Sequence, residues 1–259
     1  MEKIINQQII SGFNLSLNFK KDKKNSLQVL NDVSISIKEN EIIAIVGKSG
    51  AGKSSLLRVL SGLIKPSSGK LFYKADPVIK PIENTGMVFQ NFALLPWLNV
   101  LENILFGTDA LGISRAKSTP KALEIIKDIG LNGFEDLYTS ELSGGMKQRV
   151  GFARALMIEP EVLFLDEPFS SLDIVTAKKL RDDVINLWLT KKTSTKAIVL
   201  VTHNIEEAVL MADRVIVLGN NPGHITSQVN VDISMPRRSE DLDVKKLVDK
   251  ISLEMHNAH

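Results

Sequence analysis

Residues 41–60 read EIIAIVGKSGAGKSSLLRVL, and this stretch decides the fold. EIIAIV, residues 41–46, is a short unbroken apolar run, as expected of a strand covered on both faces. SSLLRVLSGLI then places Leu56, Leu57, Leu60 and Leu63 at helical spacing, and Gly62 stands where that helix can stop before KPSSG turns the chain. Between strand and helix lies GKSGAGKS, Gly47 to Ser54, with the spacing of a phosphate-binding loop in the place such a loop requires. Backbone NH groups freed by Gly47, Gly50 and Gly52 can converge on phosphate oxygens, and the helix N-terminus adds positive potential. Lys53 is placed to reach the β and γ phosphates and Ser54 to ligate Mg2+. The candidate nucleotide-binding residues are therefore Gly47, Lys48, Ser49, Gly50, Ala51, Gly52, Lys53, Ser54 and Ser55. The competing reading is a glycine-rich turn with no ligand, which has no need of strand, loop and helix in this order.

Working outward, 259 residues at 44% apolar composition suffice for one substantial core, with room for a smaller attached lobe. The formal net charge of +2 implies no general affinity for nucleic acid. Lys20, Lys21, Lys23 and Lys24 form a basic cluster, read as a solvated turn, with contact to anionic lipid heads as the alternative. Without cysteine there are no disulfides or thiolate metal sites, which fits a reducing compartment. MEKIINQQIISGF lacks the apolar core of a signal peptide, and no apolar run approaches membrane-spanning length.

Upstream of residue 40, Phe13, Leu15, Leu17 and Phe19 alternate with polar residues, as do Val33, Ile35 and Ile37, giving two half-buried strands. From about residue 95 to 157 the pattern turns helical, with Thr119 and Pro120 suited to an N-cap and first helical position and Gly130 to a C-terminal cap. Strand and helix then alternate: VLFLD, a helix with Leu180, Val184, Leu187 and Trp188, AIVLV, a helix from Asn204, and RVIVL. This order implies a mainly parallel sheet with an inserted helical lobe. After MPRR, Val244, Leu247, Val248, Ile251 and Met255 share one face of a predicted amphipathic helix.

Two further segments carry chemistry. VLFLDE, residues 162–167, sets Asp166 and Glu167 at the end of an apolar strand, where carboxylates are costly unless they meet a cation or polarised water. Asp166 suits Mg2+, and Glu167 is placed to orient or deprotonate a water attacking the γ phosphate. The alternative is that both cap the next helix, since Pro168 follows. In LSGGMKQR, Ser143, Gly144 and Gly145 form a second anion-accepting turn at a helix start, with Lys147 and Arg149 nearby. One nucleotide does not need two phosphate cradles from one chain. A head-to-tail pair, each chain closing over the other's ATP, explains both.

With GKSGAGKS, Gln90 in VFQ, LSGGMKQR, VLFLDEP, SSLD at 170–173 and His203 in VTH, the chain resembles the ATP-binding cassette (ABC) family over about residues 10–230. The resemblance implies an α/β fold: a P-loop NTPase of the ABC ATPase type, with a mainly parallel sheet core, an N-terminal antiparallel β region and an inserted helical subdomain. One nucleotide-binding domain is expected over 1–233, its helical subdomain at about 95–157, followed by a tail, 234–259. The family further implies that Gln90 couples Mg2+ and water to a partner subunit, that Asp173 works across a dimer, and that His203 contacts the γ phosphate. Its adenine-stacking aromatic maps best onto Phe19, where relatives commonly have tyrosine; a core strand role is the alternative. Asn204 stands where many relatives have Asp, yet Asn204 with Glu207 still forms a capping-box pattern.

An ATPase without its own membrane span needs something to receive its motion. FQNFALLPWLNVLENI, ADRVIVLGNNPGHI and MPRR resemble the nitrate, sulfonate and taurine importer branch. The implied partners are a second ATPase subunit, forming a homodimer, two transmembrane permease subunits and, indirectly, an extracytoplasmic solute-binding protein. The implied location is peripheral, on the cytoplasmic face of the cell membrane. An ABC exporter or non-transport ABC ATPase, and a P-loop kinase or switch GTPase, are the alternatives. Within FQNFALLPWLNV, residues 89–100, Pro96 argues against regular structure. Trp97 is expected either to line a groove for a permease helix or to pack inside the lobe, while Leu101 and Ile104 read as core.

Overall fold

The computed structural model describes residues 8–20 and 26–257. In chain order, the first elements are strands β1 (Gln8–Lys20), β2 (Ser26–Lys38) and β3 (Glu41–Gly47), helix α1 (Lys53–Leu60), and strands β4 (Ser68–Tyr73), β5 (Asp76–Pro77) and β6 (Thr85–Val88). Next come helices α2 (Val100–Ala110), α3 (Arg115–Asp128) and α4 (Gly144–Met157), strand β7 (Val162–Asp166) and helix α5 (Ile174–Leu189). The last are β8 (Ala197–Val201), α6 (Ile205–Met211), β9 (Arg214–Gly219), β10 (His224–Asn230) and α7 (Leu242–Asn257). The chain divides into two compact units, one of residues up to Glu83 and from Lys196 onward, the other Asn84–Thr195.

In the first unit, β1 pairs antiparallel with β2 and β4, and β4 with β5. The expected alternation holds at Leu15, Leu17, Val33, Ile35 and Ile37, all buried, but Phe19 leaves the buried face and is 44% exposed opposite Leu27. Lys20 pairs with Ser26, while Lys21, Lys23 and Lys24 lie outside the described residues. β3 runs parallel between β8 and β9, and every residue of it is buried, as its unbroken apolar run demands. Glu41, the one charge in that strand, is met by Arg214 in a two-pronged pair, Nε to Oε1 at 2.8 Å and Nη2 to Oε2 at 3.2 Å. α1 is shorter than its leucine spacing suggests: it ends at Leu60, Gly62 turns with φ 76, and Leu63 is half exposed beyond it. The amphipathic tail helix α7 packs on α6, β9 and β10 through buried Val244 and Ile251.

In the second unit, β6 and β7 pair in parallel, and α2, α3 and α4 enclose an apolar cluster that includes Val100, Ile104, Ile126, Val150 and Met157. Each fully buried side chain of this size contributes about 1.5–3 kcal/mol. α2 begins at a complete capping box, with Asn99 Oδ1 accepting from the Glu102 NH at 2.8 Å and Glu102 returning the bond at 3.1 Å. α3 corrects a boundary. It starts at Arg115 after Ser114, so Pro120 lies inside the helix and does not open it. Pro120 sits early enough that its missing NH costs one bond to the first turn, and Gly130 ends the helix with φ 69 as expected.

Candidate functional site

The phosphate loop grows out of the C-terminal end of β3 in the first unit. Three glycines there have separate physical reasons. A Cβ on Gly47 would lie 2.5 Å from Leu218 O, whereas Gly50 and Gly52 take φ 81 and 87, where only glycine is unstrained. Gly52 is also the N-cap of α1 and offers no side chain, so the first NH groups of α1 have no side-chain cap competing for them. Lys53 is buried at 5% exposure and folds back over the loop, donating from Nζ to Gly47 O at 3.0 Å and Lys48 O at 3.2 Å. Ser54 and Ser55 follow in the first turn, and Ala51 donates its NH to Lys48 O at 3.1 Å.

His203 comes to the same end of the sheet because Val201 of β8 pairs with Ile45 and the Thr202 NH donates to Ile45 O at 3.2 Å. His203 itself is exposed. Asn204 caps α6, accepting from the Glu206 and Glu207 NH groups at 3.0 and 3.3 Å, but the capping box is half formed. The Glu207 carboxylate accepts instead from the Thr202 hydroxyl at 2.7 Å, which fixes the residue just before His203. Phe19 stands on the β1–β2 hairpin of this unit as an exposed aromatic rather than a core residue.

The second unit carries further candidate residues, the first of them on one strand pair. Val88 pairs with Leu165, so the chain leaves β6 at Gln90 level with the end of β7, where Asp166 is 4% exposed and Glu167 follows. Gln90 Nε2 donates to Glu167 Oε2 at 3.2 Å. Glu167 takes φ 47, a left-handed conformation costly for a residue with a Cβ and typical of side chains held for function.

Ser143 caps α4, its Oγ accepting from the Met146 NH at 3.3 Å. A Cβ on Gly144 would meet nothing within 4 Å, so that turn is open, while one on Gly145 would lie 2.5 Å from the Thr176 side chain at the start of α5. Asp173 caps α5, accepting from the Val175 and Thr176 NH groups at 3.1 and 3.0 Å, and hydrogen bonds from Thr176 hold its pKa below the usual value. Arg149 corrects the sequence reading. It does not face the anion-accepting turn but points inward, to Ile129 O at 2.5 Å and Asp183 at 2.8 Å, tying α4 to the end of α3 and to α5.

The FQNFALLPWLNV stretch is irregular, as Pro96 requires, and its backbone is satisfied by a side chain that periodicity does not reveal. Asn103, fully buried on α2, accepts from the Leu95 NH at 2.9 Å and reaches the carbonyls of Leu95, Leu98 and Asn99 at 3.0–3.1 Å. Trp97 is 68% exposed, which removes the buried alternative; Ile104 is core and Leu101 half-buried. Arg154 donates to the carbonyls of Phe92 and Ala93 from α4. The available signal for both Asn103 and Arg154 is a polar residue inside an otherwise apolar helical stretch.

A family model described as ABC transporter matches residues 30–170. An uncharacterized ABC transporter ATP-binding protein of Methanocaldococcus jannaschii is 39% identical over 227 residues, 88% of this chain and 84% of that one. The taurine import ATP-binding protein TauB of Pseudomonas putida is 40% identical over 204 residues, 79% and 77% of the two chains. Among solved structures, the ATP-binding cassette MJ0796, dimeric and bound to ADP and Pi in a post-hydrolysis state, superposes with TM-score 0.76 at 28% identity, covering 87% of this chain and 100% of that one.

Proposed function

The chain belongs to the ABC transporter family as an ATP-binding, ATP-hydrolysing subunit, and from that premise we propose that it powers bacterial import of a small solute of the taurine, sulfonate or nitrate kind. The taurine import relatives support the solute class, and the exposed Trp97 supports a separate membrane receiver. In this reading residues 1–233 form one nucleotide-binding domain with its helical subdomain at about 95–157, and 234–259 is a tail. Two copies close on ATP and open after hydrolysis, two permease subunits receive the motion, and the assembly sits at the cytoplasmic face. The membrane span is assigned to those permease subunits; among the described residues no helix is long and apolar enough to cross a membrane.

The loop from Gly47 to Ser55 binds the phosphates, with Lys53 turning from the loop carbonyls to the β and γ oxygens, and Phe19 stacks on adenine. Ser54, Asp166 and Gln90 would hold Mg2+, oxygen donors of the kind this ion takes when phosphates and waters complete its shell. The metal, when bound, neutralises charge developing on the phosphate oxygens. Glu167 accepts the proton of the attacking water, Gln90 orients that carboxylate, and His203 donates to the γ phosphate. Ser143, Gly144, Gly145 and Asp173 act on the nucleotide of the second copy.

The observation that carries the reading is the hydrogen bond between Gln90 and Glu167, because it joins the water-handling carboxylate to the segment that carries Trp97. Glu167→Gln should retain ATP binding, lower hydrolysis by about 10²–10⁴-fold and accumulate an ATP-bound dimer; normal turnover would remove Glu167 as the base. Copurification with the membrane subunits, followed by asking which ligand-loaded binding protein stimulates hydrolysis, tests the solute class, with taurine, other sulfonates and nitrate on the panel. Stimulation by none of them would refute the branch reading.

A further inference from the structure

Arg154 lies about three turns along α4 from Ser143. Its guanidinium is directed at backbone: Nη1 donates to Ala93 O at 2.7 Å and Nη2 to Phe92 O at 2.9 Å. Both acceptors belong to residues in the left-handed region, Phe92 at φ 63 and Ala93 at φ 47, a conformation that residues with a Cβ hold only with outside support. Two carbonyls facing one side chain suit a planar fork, which arginine has and lysine lacks. α4 also runs close beneath this turn, since a Cβ on Gly151 would lie 3.6 Å from Phe92 O.

The turn is tight on the N-terminal side of these carbonyls. The Phe92 NH donates to Phe89 O at 3.0 Å and the Ala93 NH to Asn91 O at 2.7 Å, so the backbone around Gln90 has little slack. Burial lowers the pKa of Arg154 below its usual value, yet a guanidinium stays charged, so the desolvation is borne to make these contacts. We propose that Arg154 is a positioning residue for hydrolysis: by clamping the carbonyls of Phe92 and Ala93 it holds Gln90 against Glu167. The inference rests on the reading of Gln90 and Glu167 as the pair that handles water. It assigns to the helix that Ser143 caps a second task, that of fixing the turn beside the catalytic carboxylate.

The test compares the whole chain with Arg154→Lys, Arg154→Ala and the double variant Arg154→Ala, Ala93→Gly, with Glu167→Gln as control. MgATP turnover, nucleotide affinity and hydrogen exchange over residues 89–95 are measured on each. Arg154→Ala should lower kcat roughly ten- to hundredfold while KM and ATP affinity stay within about threefold, and amides of the turn should exchange faster. Arg154→Lys should fall between, and Ala93→Gly, which accepts a left-handed backbone without support, should restore part of the lost kcat. Wild-type kcat in Arg154→Ala overturns the proposal. So does a loss that follows the folded fraction and is relieved by neither Lys nor Ala93→Gly. Normal turnover in Glu167→Gln removes the underlying pair and the inference with it; an inactive Glu167→Gln beside a fully active Arg154→Ala removes the inference alone.

Discussion

Asn103→Leu isolates the polar strut beneath FQNFALLPWLNV while keeping side-chain volume similar. The substitution deletes every bond made by the amide, but the backbone does not lose every partner. Asn99 O keeps the Asn103 NH at 2.9 Å and Leu95 O keeps the Leu98 NH at 3.2 Å, which leaves the Leu95 NH and Leu98 O without the groups that met them. Two orphaned groups at about 1–3 kcal/mol each give about 2–6 kcal/mol, reduced to about 2–4 because Leu95 and Leu98 are half-buried and water reaches part of them. For a chain of this length that is a fall of about 5–15 °C in the unfolding midpoint. Differential scanning calorimetry reads the midpoint, and hydrogen exchange over residues 94–99 reads the Leu95 amide. Nucleotide affinity should stay within about twofold, since the phosphate loop belongs to the other unit. A midpoint within about 1 °C of wild type together with unchanged exchange at Leu95 would refute the reasoning.

Gly52→Ala forces a left-handed alanine costing about 1–2 kcal/mol and sets its Cβ 3.0 Å from Leu30 and 3.1 Å from Val29 O, so ATP affinity by fluorescent nucleotide titration should fall about tenfold or more; undiminished binding would contradict the cradle. Arg237→Met frees the carbonyls of Val209, Ala212 and Ile233, which the arginine meets at 2.6–2.7 Å, and should cost about 2–4 kcal/mol by calorimetry with faster exchange at the end of α6. An unchanged midpoint would show the MPRR arginine to be dispensable. The Thr176 hydrogen bonds favour the ionised form of Asp173, so its carboxyl should titrate below 3.8 by carbon-13 NMR. The cap's contribution is complete above the unfolded pKa and is lost as pH falls through the lower folded one, whereas Asp173→Asn caps at every pH. A midpoint at or above 3.8 would overturn the assignment.

The phosphate loop was legible because its chemistry is backbone chemistry: Gly47, Gly50 and Gly52 are dictated by space and by φ, and those demands reach the sequence directly. β3 was legible because burial on both faces leaves no room for alternation. The start of α3 was not, since Thr119 and Pro120 make as good an opening on paper as Ser114 and Arg115; the residues between are mostly exposed, and the earlier start is held by the Ser118 NH bond to Ser114 O and by Arg115 on Asp109. Arg149 was misplaced for a related reason. It follows an anion-accepting turn closely in sequence, but its helical position carries its side chain inward to Asp183 and the end of α3. Phe19 followed the strand period and still left the core, because the pairing register of β1 shifts between Leu17 and Asn18, where the hairpin runs beyond the sheet's covered face.

The 89–100 stretch shows why its mounting was hidden while its chemistry was not. Pro96 prevents a helix or an inner strand there, so the backbone groups of the segment must be met from outside. Two side chains do this, Arg154 at Phe92 and Ala93 and Asn103 at Leu95 and Leu98, and a third tie joins the Gln90 side chain to Glu167. None is adjacent in sequence to what it holds, and each looks like a stray polar residue until the contacts are known. A strap tied at three polar points cannot slide at one without loading the next, because the residues between them are few and two already sit in left-handed conformations. Trp97, exposed between the two residues that Asn103 holds, is the large apolar side chain of the segment left outside these ties, so if a partner acts there as proposed, the chain of contacts leads from it back to Gln90 and Glu167.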